Sequence, residues 1–259
     1  MIKTLDLLQY DIQRPEKIRW ALPELRNEAD LFAIIKSKTL RSFLRTAEQS
    51  LLEFSITWET HPITFEEYKK WLVFYTEKMI GQEYDVIANE EWYQKKIDSG
   101  KVVEGIFFSR NGELLGSEIF ITKESEKFAS AAFKATDHRE NFSNKSHASL
   151  GAVVDFFFLR EVLRRGFTHI SFGRSRNAFG VINTIGNLEY KLGFGYIPSQ
   201  ASDTVLFSEV PLNEKGIVLF FGLKENKLAL YAVKPKELSM NFEQKRFATP
   251  ELPFIEINY

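Results

Sequence analysis

The stretch that most constrains this sequence is residues 146–198. A short apolar run, 168–172, stands between two helical patterns, one opening near Ala148 and one covering 183–192. A short strand-like run of that length between helices is the pattern of a central parallel strand. Its end delivers Gly173, Arg174, Ser175, Arg176 and Asn177 to a loop. In open α/β sheets the ligand site usually lies outside the carboxyl ends of such strands.

The rest of the chain supplies partners for that strand. Runs 102–109 and 114–122 flank Arg110-Asn111-Gly112-Glu113, and run 128–135 follows a charged turn. Asn-Gly between two apolar runs predicts a tight hairpin, so the three runs read as an antiparallel meander. Upstream, Leu40, Phe43, Leu44, Ala47 and Leu51 share one face of a helix predicted over 38–52, and 52–57 reads as a strand. Thr64 with Glu67 forms a capping box for a helix faced by Phe65, Tyr68, Trp71, Leu72 and Tyr75, and Asn89 caps another helix ending at Ser99-Gly100. Leu150, Val153, Val154, Phe157 and Val162 mark the inward face of the helix before the buried strand, with Arg164, Arg165 and Gly166 at its end. Past Pro198 only strands are expected, at 205–210, 217–221 and 228–233, and from Pro235 an irregular tail. The division that follows is an N-terminal remnant (1–37), a mixed α/β domain (38–200) and a C-terminal region of strands and tail (201–259).

Composition narrows the function classes. The 259 residues carry a net charge of -1, so the chain as a whole is not a generic polyanion binder, although local basic faces remain open. There is no cysteine, which excludes disulfides, thiolate metal sites and cysteine nucleophiles. No spacing of His, Asp and Glu suggests a metal site. Charges at Lys3, Asp6, Asp11, Arg14 and Glu16 leave no apolar leader, and the apolar run 150–159 is broken by Asp155, so no membrane span and a cytoplasmic location are expected.

Three short segments carry a family resemblance. The helix Thr39-Leu40-Arg41-Ser42-Phe43-Leu44-Arg45-Thr46-Ala47-Glu48 resembles the opening helix of FemAB-like proteins, a branch with GNAT-type domains. Gly166-Phe167-Thr168-His169-Ile170-Ser171-Phe172-Gly173-Arg174-Ser175 is similar to their strand and following loop, and Tyr190-Lys191 with Phe194-Gly195 is similar to their closing motif. The resemblance implies a GNAT-like acyltransferase fold, a mixed sheet with flanking helices, here with a C-terminal β extension. It also implies acyl or aminoacyl transfer to an amine, with acyl-CoA as co-substrate or aminoacyl-tRNA as the second donor, and no permanently bound cofactor. Two departures stand out: no glycine precedes the helix in Asn144-Lys145-Ser146-His147-Ala148-Ser149-Leu150-Gly151, and Glu189 occupies the place of the tyrosine that protonates the leaving thiolate in many GNAT enzymes.

The candidate residues follow. Lys191 is a candidate for stabilising the oxyanion of a tetrahedral intermediate, against an ordinary exposed helix lysine. Arg174 suits bidentate binding of a phosphate or carboxylate, against a loop-fixing salt bridge. Ser175 and Asn177 are candidate hydrogen-bond donors to a ligand, against turn-stabilising roles. His138 and His147 are candidate general bases, and Lys145, Ser146, His147 and Ser149 line the expected donor-binding segment. His169 is expected in the core. The basic patch Lys36, Lys38, Arg41 and Arg45 reads as a solvated face or a contact for a phosphate-rich donor. The competing reading is a catalytically idle GNAT-like scaffold that binds a ligand or partner and uses its β extension as an oligomer interface.

Overall fold

The computed structural model describes residues 4–10, 12–80, 86–137, 149–201, 205–206, 209–238, 249 and 251–259. In chain order its strands are β1 (Thr4–Asp6), β2 (Arg14–Pro15), β3 (Lys17–Ala21), β4 (Thr57–Pro62), β5 (Val102–Arg110), β6 (Glu113–Lys123), β7 (Phe128–Thr136) and β8 (His169–Arg176). They continue with β9 (Ile197–Gln200), β10 (Val205–Leu206), β11 (Glu209–Pro211), β12 (Val218–Lys224), β13 (Lys227–Lys234) and β14 (Phe254–Asn258). The helices are α1 (Glu28–Ile34), α2 (Lys38–Leu44), α3 (Ala47–Glu53), α4 (Phe65–Ile80), α5 (Glu90–Asp98), α6 (Leu150–Arg164) and α7 (Ile185–Phe194). The chain divides into two compact units, Pro23–Phe172 and Met1–Leu22 with Gly173–Tyr259.

In the unit Pro23–Phe172 the strand order is β4-β5-β6-β7 and then the start of β8. The β5–β6 hairpin closes on the pair Arg110↔Glu113, and its turn residues Asn111 (φ 52°) and Gly112 (φ 81°) are both left-handed. That is the type I′ geometry whose twist matches the flanking strands. Strands β4 to β7 are antiparallel, whereas β7 and β8 are parallel, so the sheet is mixed.

Strand alternation gives the sheet two apolar faces. One packs the aromatic face of α4: Tyr68, Trp71, Tyr75 and Met79 bury against Ile119, Ile121, Phe133 and Ala135. The Trp71 indole N–H donates to Ser117 Oγ at 2.8 Å, satisfying a donor that would otherwise be orphaned in the core. The other face packs α6, through Phe120–Phe158 (5.0 Å between centroids) and Phe108–Phe157 (5.5 Å). Both caps expected on α4 and α5 form: Thr64 and Glu67 exchange hydrogen bonds, and Asn89 Oδ1 accepts from Trp92 N.

The second unit holds β8 from Gly173 onward, with β3 beside it and β9 beyond. It also holds the sheet β12-β13-β14, whose residues Val218, Phe220, Tyr231, Val233 and Ile257 pack with Leu5, Leu7 and Val210. Among the described residues no helix is long and apolar enough to cross a membrane.

Several expected elements are corrected. The helix over 38–52 is two helices, because the Thr46 N–H and hydroxyl both bond the Phe43 carbonyl and close a turn there. The strand expected over 52–57 begins only at Thr57, after α3 and a left-handed Ser55 (φ 55°). The strand over 168–172 continues to Arg176, so Arg174 and Ser175 lie on a strand and not in a loop. The tail is not wholly irregular: β14 pairs in parallel with β13, from Leu230↔Phe254 to Lys234↔Asn258.

Phe157 is fully buried between Phe108, Phe156 and the Trp58 ring at 4.9 Å. Phe157→Ala is expected to lower stability by about 3–5 kcal/mol, read as a fall in the urea midpoint, because transfer and cavity costs add. A loss below about 1 kcal/mol would contradict this packing.

Candidate active site

The unit that carries β8 from Gly173 onward fixes one group of candidate residues. Trp20 on β3 is fully buried, and its indole N–H donates to Ser175 Oγ at 2.8 Å. Lys191 Nζ sits 4.8 Å from the centroid of the same Trp20 ring. A partly buried ammonium over an indole face is held electrostatically by the ring quadrupole. The backbone beneath Lys191 is also fixed. Thr184 Oγ1 caps α7 by accepting from Asn187 N, and Gly195 (φ 96°) ends it as Tyr196 N bonds the Lys191 carbonyl. A left-handed residue at that position favours glycine. Trp20, Ser175 and Lys191 therefore form one constellation: a cation and a hydroxyl gathered on one buried ring.

Arg174 is not part of it. Successive side chains of a strand point to opposite faces, so Arg174 lies across the sheet from Ser175, and it is exposed. Asn177 is a correction. It is 1% exposed, its Nδ2 donates to the carbonyls of Pro15 and Phe221, and its Oδ1 accepts from Phe221 N. Both donors are taken by the backbone, which makes Asn177 a rivet of the fold and leaves no N–H for a ligand. His169, expected in the core, is exposed at the start of β8.

The unit Pro23–Phe172 holds a second constellation, which the sequence reading did not anticipate. The parallel ladder between β7 and β8 covers only Phe128↔His169, Ala129↔Ile170 and Ser130↔Ser171. Residues 131–136 of β7 continue without that partner, and Lys134 lies among them. Its Nζ is 2.8 and 2.7 Å from the two carboxylate oxygens of Asp155 on α6 and 3.4 Å from the Gly151 carbonyl. Glu118 on β6 is opposite Lys134 in the ladder, 3% exposed, and its Oε2 has no hydrogen-bond partner. Burial, then the charge of Asp155, pushes the Glu118 carboxyl well above the usual range, and Lys134 opposes the shift. Glu118 thus keeps its proton to a higher pH than an exposed glutamate would, beside the salt bridge between Lys134 and Asp155. The signal for this cluster was a charged residue inside each of two apolar runs, Glu118 in 114–122 and Lys134 in 128–135.

Ser149 is the N-cap of α6, its hydroxyl accepting from Ala152 N at 3.3 Å. His138, Lys145, Ser146 and His147 lie outside the described residues.

No protein-family model matches this sequence, and no curated protein sequence matches it. Among solved structures, FemX matches over 74% of this chain and 60% of its own, at a TM-score of 0.50 and 13% identity. The fold is FemAB-like and GNAT-type. The C-terminal domain of a putative lysylphosphatidylglycerol synthetase from Agrobacterium fabrum matches at 11% identity over 72% of this chain and 60% of its own, with a TM-score of 0.45. A tandem GNAT protein from the clavulanic acid biosynthesis pathway matches at 12% identity over 74% and 54%, with a TM-score of 0.43. The chain spans about three fifths of the FemX chain, 60% of its length.

Glu118 gives a pH prediction with a definite sign. Its carboxyl keeps its proton in the fold to a higher pH than in the unfolded chain, where glutamate titrates near about 4.3. The unfolded state therefore binds fewer protons between those two values, and stability falls as pH rises through that window. Glu118→Gln, which cannot ionise, is expected to flatten that fall, so its urea midpoint gains on the parent at higher pH. Parallel pH profiles for the two proteins would contradict the buried protonated carboxyl.

Proposed function

We propose that this chain catalyses acyl transfer, N-acyl or aminoacyl, from an activated donor to an amine. The donor is an acyl-CoA thioester, with an aminoacyl-tRNA ester as the second choice. The acceptor nitrogen attacks the acyl carbonyl carbon. A C–N bond forms, the C–S or C–O bond to the carrier breaks, and the proton lost by the amine ends on the departing thiolate or ribose oxygen.

The observation that carries this reading is the placement of Lys191 over Trp20 beside Ser175, in a fold shared with FemX. The tetrahedral intermediate of acyl transfer carries a developing oxyanion, and a fixed cation in a low-dielectric setting stabilises it most where it need not reorganise. Lys191 is held by the ring and by the closed end of α7, and so meets that requirement. Ser175 Oγ accepts from the indole and keeps its own proton to donate to a carbonyl or leaving oxygen. The absence of cysteine leaves direct transfer, without a thioester on the enzyme, as the simplest route.

Lys191→Ala is expected to lower kcat/KM by about 10²–10³-fold with the melting temperature largely kept, and Lys191→Arg to recover part of the loss. A thermal-shift screen over CoA thioesters and aminoacyl-tRNA identifies the donor as the one that raises the melting temperature. If neither raises it, and Lys191→Ala turns over like the parent, the acyl-transfer reading fails.

A further inference from the structure

The sheet face away from Trp20 carries a row of cations that acyl transfer does not use. Strands β8 and β3 are neighbours, and the Asn177 amide, just past the end of β8, bonds the carbonyl of Glu16, just before β3. The end of one strand meeting the start of the other makes the pair antiparallel. Trp20 and Ser175 meet on one face, so alternation sends Lys17 and Arg19 of β3, with Arg174 and Arg176 of β8, to the other. All four are exposed, while Ile18 and Trp20 between them are fully buried. Continuing the register from the Asn177–Glu16 bond sets Arg19 opposite Arg174 and Lys17 opposite Arg176. Like charges directly opposite across a ladder disfavour the strand pair. Arg19 and Arg174 thus present like charge side by side on this exposed face, which a polyanion would complement.

The same face continues onto β9, where Ser199 pairs with Arg19 and Ile197 with Ala21. Ile197 is 50% exposed, a branched apolar side chain beside the cations. Single-stranded nucleic acids are gripped by exposed rings between basic groups, and none of Lys17, Arg19, Arg174, Arg176 and Ile197 is aromatic. Basic side chains with an exposed aliphatic one suit a charged interface whose interior is apolar.

We propose that the face formed by Lys17, Arg19, Arg174, Arg176 and Ile197 docks this protein reversibly on an anionic phospholipid bilayer. The cations meet the headgroup phosphates, Arg19 and Arg174 through their planar guanidinium forks, and Ile197 reaches the acyl boundary. The contact is peripheral and goes beyond the acyl-transfer reading, since neither Lys191 nor Ser175 lies on this face.

Co-sedimentation of the full chain with phosphatidylcholine vesicles, with and without about a third phosphatidylglycerol, tests the proposal. The protein is expected to pellet with the anionic vesicles only and to be released as salt rises from about 50 to about 500 mM. Arg19→Gln and Arg174→Gln are each expected to weaken partitioning about fivefold and together about 25-fold, as one surface charge contributes near an anionic leaflet. Lys215→Gln, on an exposed turn of the same unit, should partition like the parent. Both arginine variants are surface changes, and an unchanged melting temperature checks that each folds. No pelleting at low salt, or pelleting that ignores Arg19→Gln and Arg174→Gln, overturns the proposal. So does retention of a single-stranded RNA by this face when the vesicles are ignored, which would assign it to nucleic acid.

Discussion

A buried indole N–H must find an acceptor, and for Trp20 that acceptor is Ser175. The bond does more than satisfy one donor. It fixes the phase in which β8 meets β3, and a strand shifted by one residue would exchange its two faces. With Ser175 turned toward Trp20, Lys191 has a ring to rest on, and Arg174 and Arg176 are turned away from it. Asn177 locks the same phase one residue past the strand, through bonds to the backbones on either side of it. Two chemically different faces, one gathering a cation onto an aromatic ring and one exposing a basic row, thus follow from a single hydrogen-bonded register.

In the unit Pro23–Phe172 the corresponding constraint is charge inside an apolar layer. The sheet is clamped between the aromatic face of α4 and the phenylalanines of α6, yet Glu118, Lys134 and Asp155 sit within that layer. An ionised glutamate there would lack a partner for Oε2, so keeping the proton is the cheaper solution. A second buried carboxylate, Glu104, solves the same problem differently: it stays paired with Arg165, at 3.0 Å from Nη2, and with Thr122 at 2.5 Å. The two cases show burial settled by neutralisation in one and by bidentate pairing in the other.

Local signals in the sequence are legible where they are self-contained. Asn111-Gly112, Thr64 with Glu67, and Asn89 each specify a turn or cap through their own backbone chemistry, and the structure has all three. The meander, α6 and the parallel β8 followed from periodicity. What the sequence hid depended on distant pairing. The true length of β8 depends on β3, about 150 residues upstream, because Gly173 and Arg174 look like loop residues unless a neighbouring strand is known to claim them. Likewise β14 forms in a proline-bearing tail because β13 offers it an open parallel edge. Of the site residues, Ser175 and Lys191 are brought together by Trp20, a residue given no role from sequence. Arg174 is separated from them by alternation, and Asn177 serves the fold. The buried trio of Glu118, Lys134 and Asp155 is hidden in the sequence because the three charges lie on different elements and only packing brings them together.

The central claim is that Lys191 is held on the Trp20 ring as the cation of an acyl-transfer site. Nuclear magnetic resonance of ¹³C-dimethylated lysines reports it directly, with the Lys191 signal assigned by Lys191→Arg. The account predicts a signal displaced upfield by the indole ring current in the unliganded protein, moving again on titration with the donor. A Lys191 signal at the position of ordinary exposed lysines, indifferent to CoA thioesters and to aminoacyl-tRNA, would contradict it.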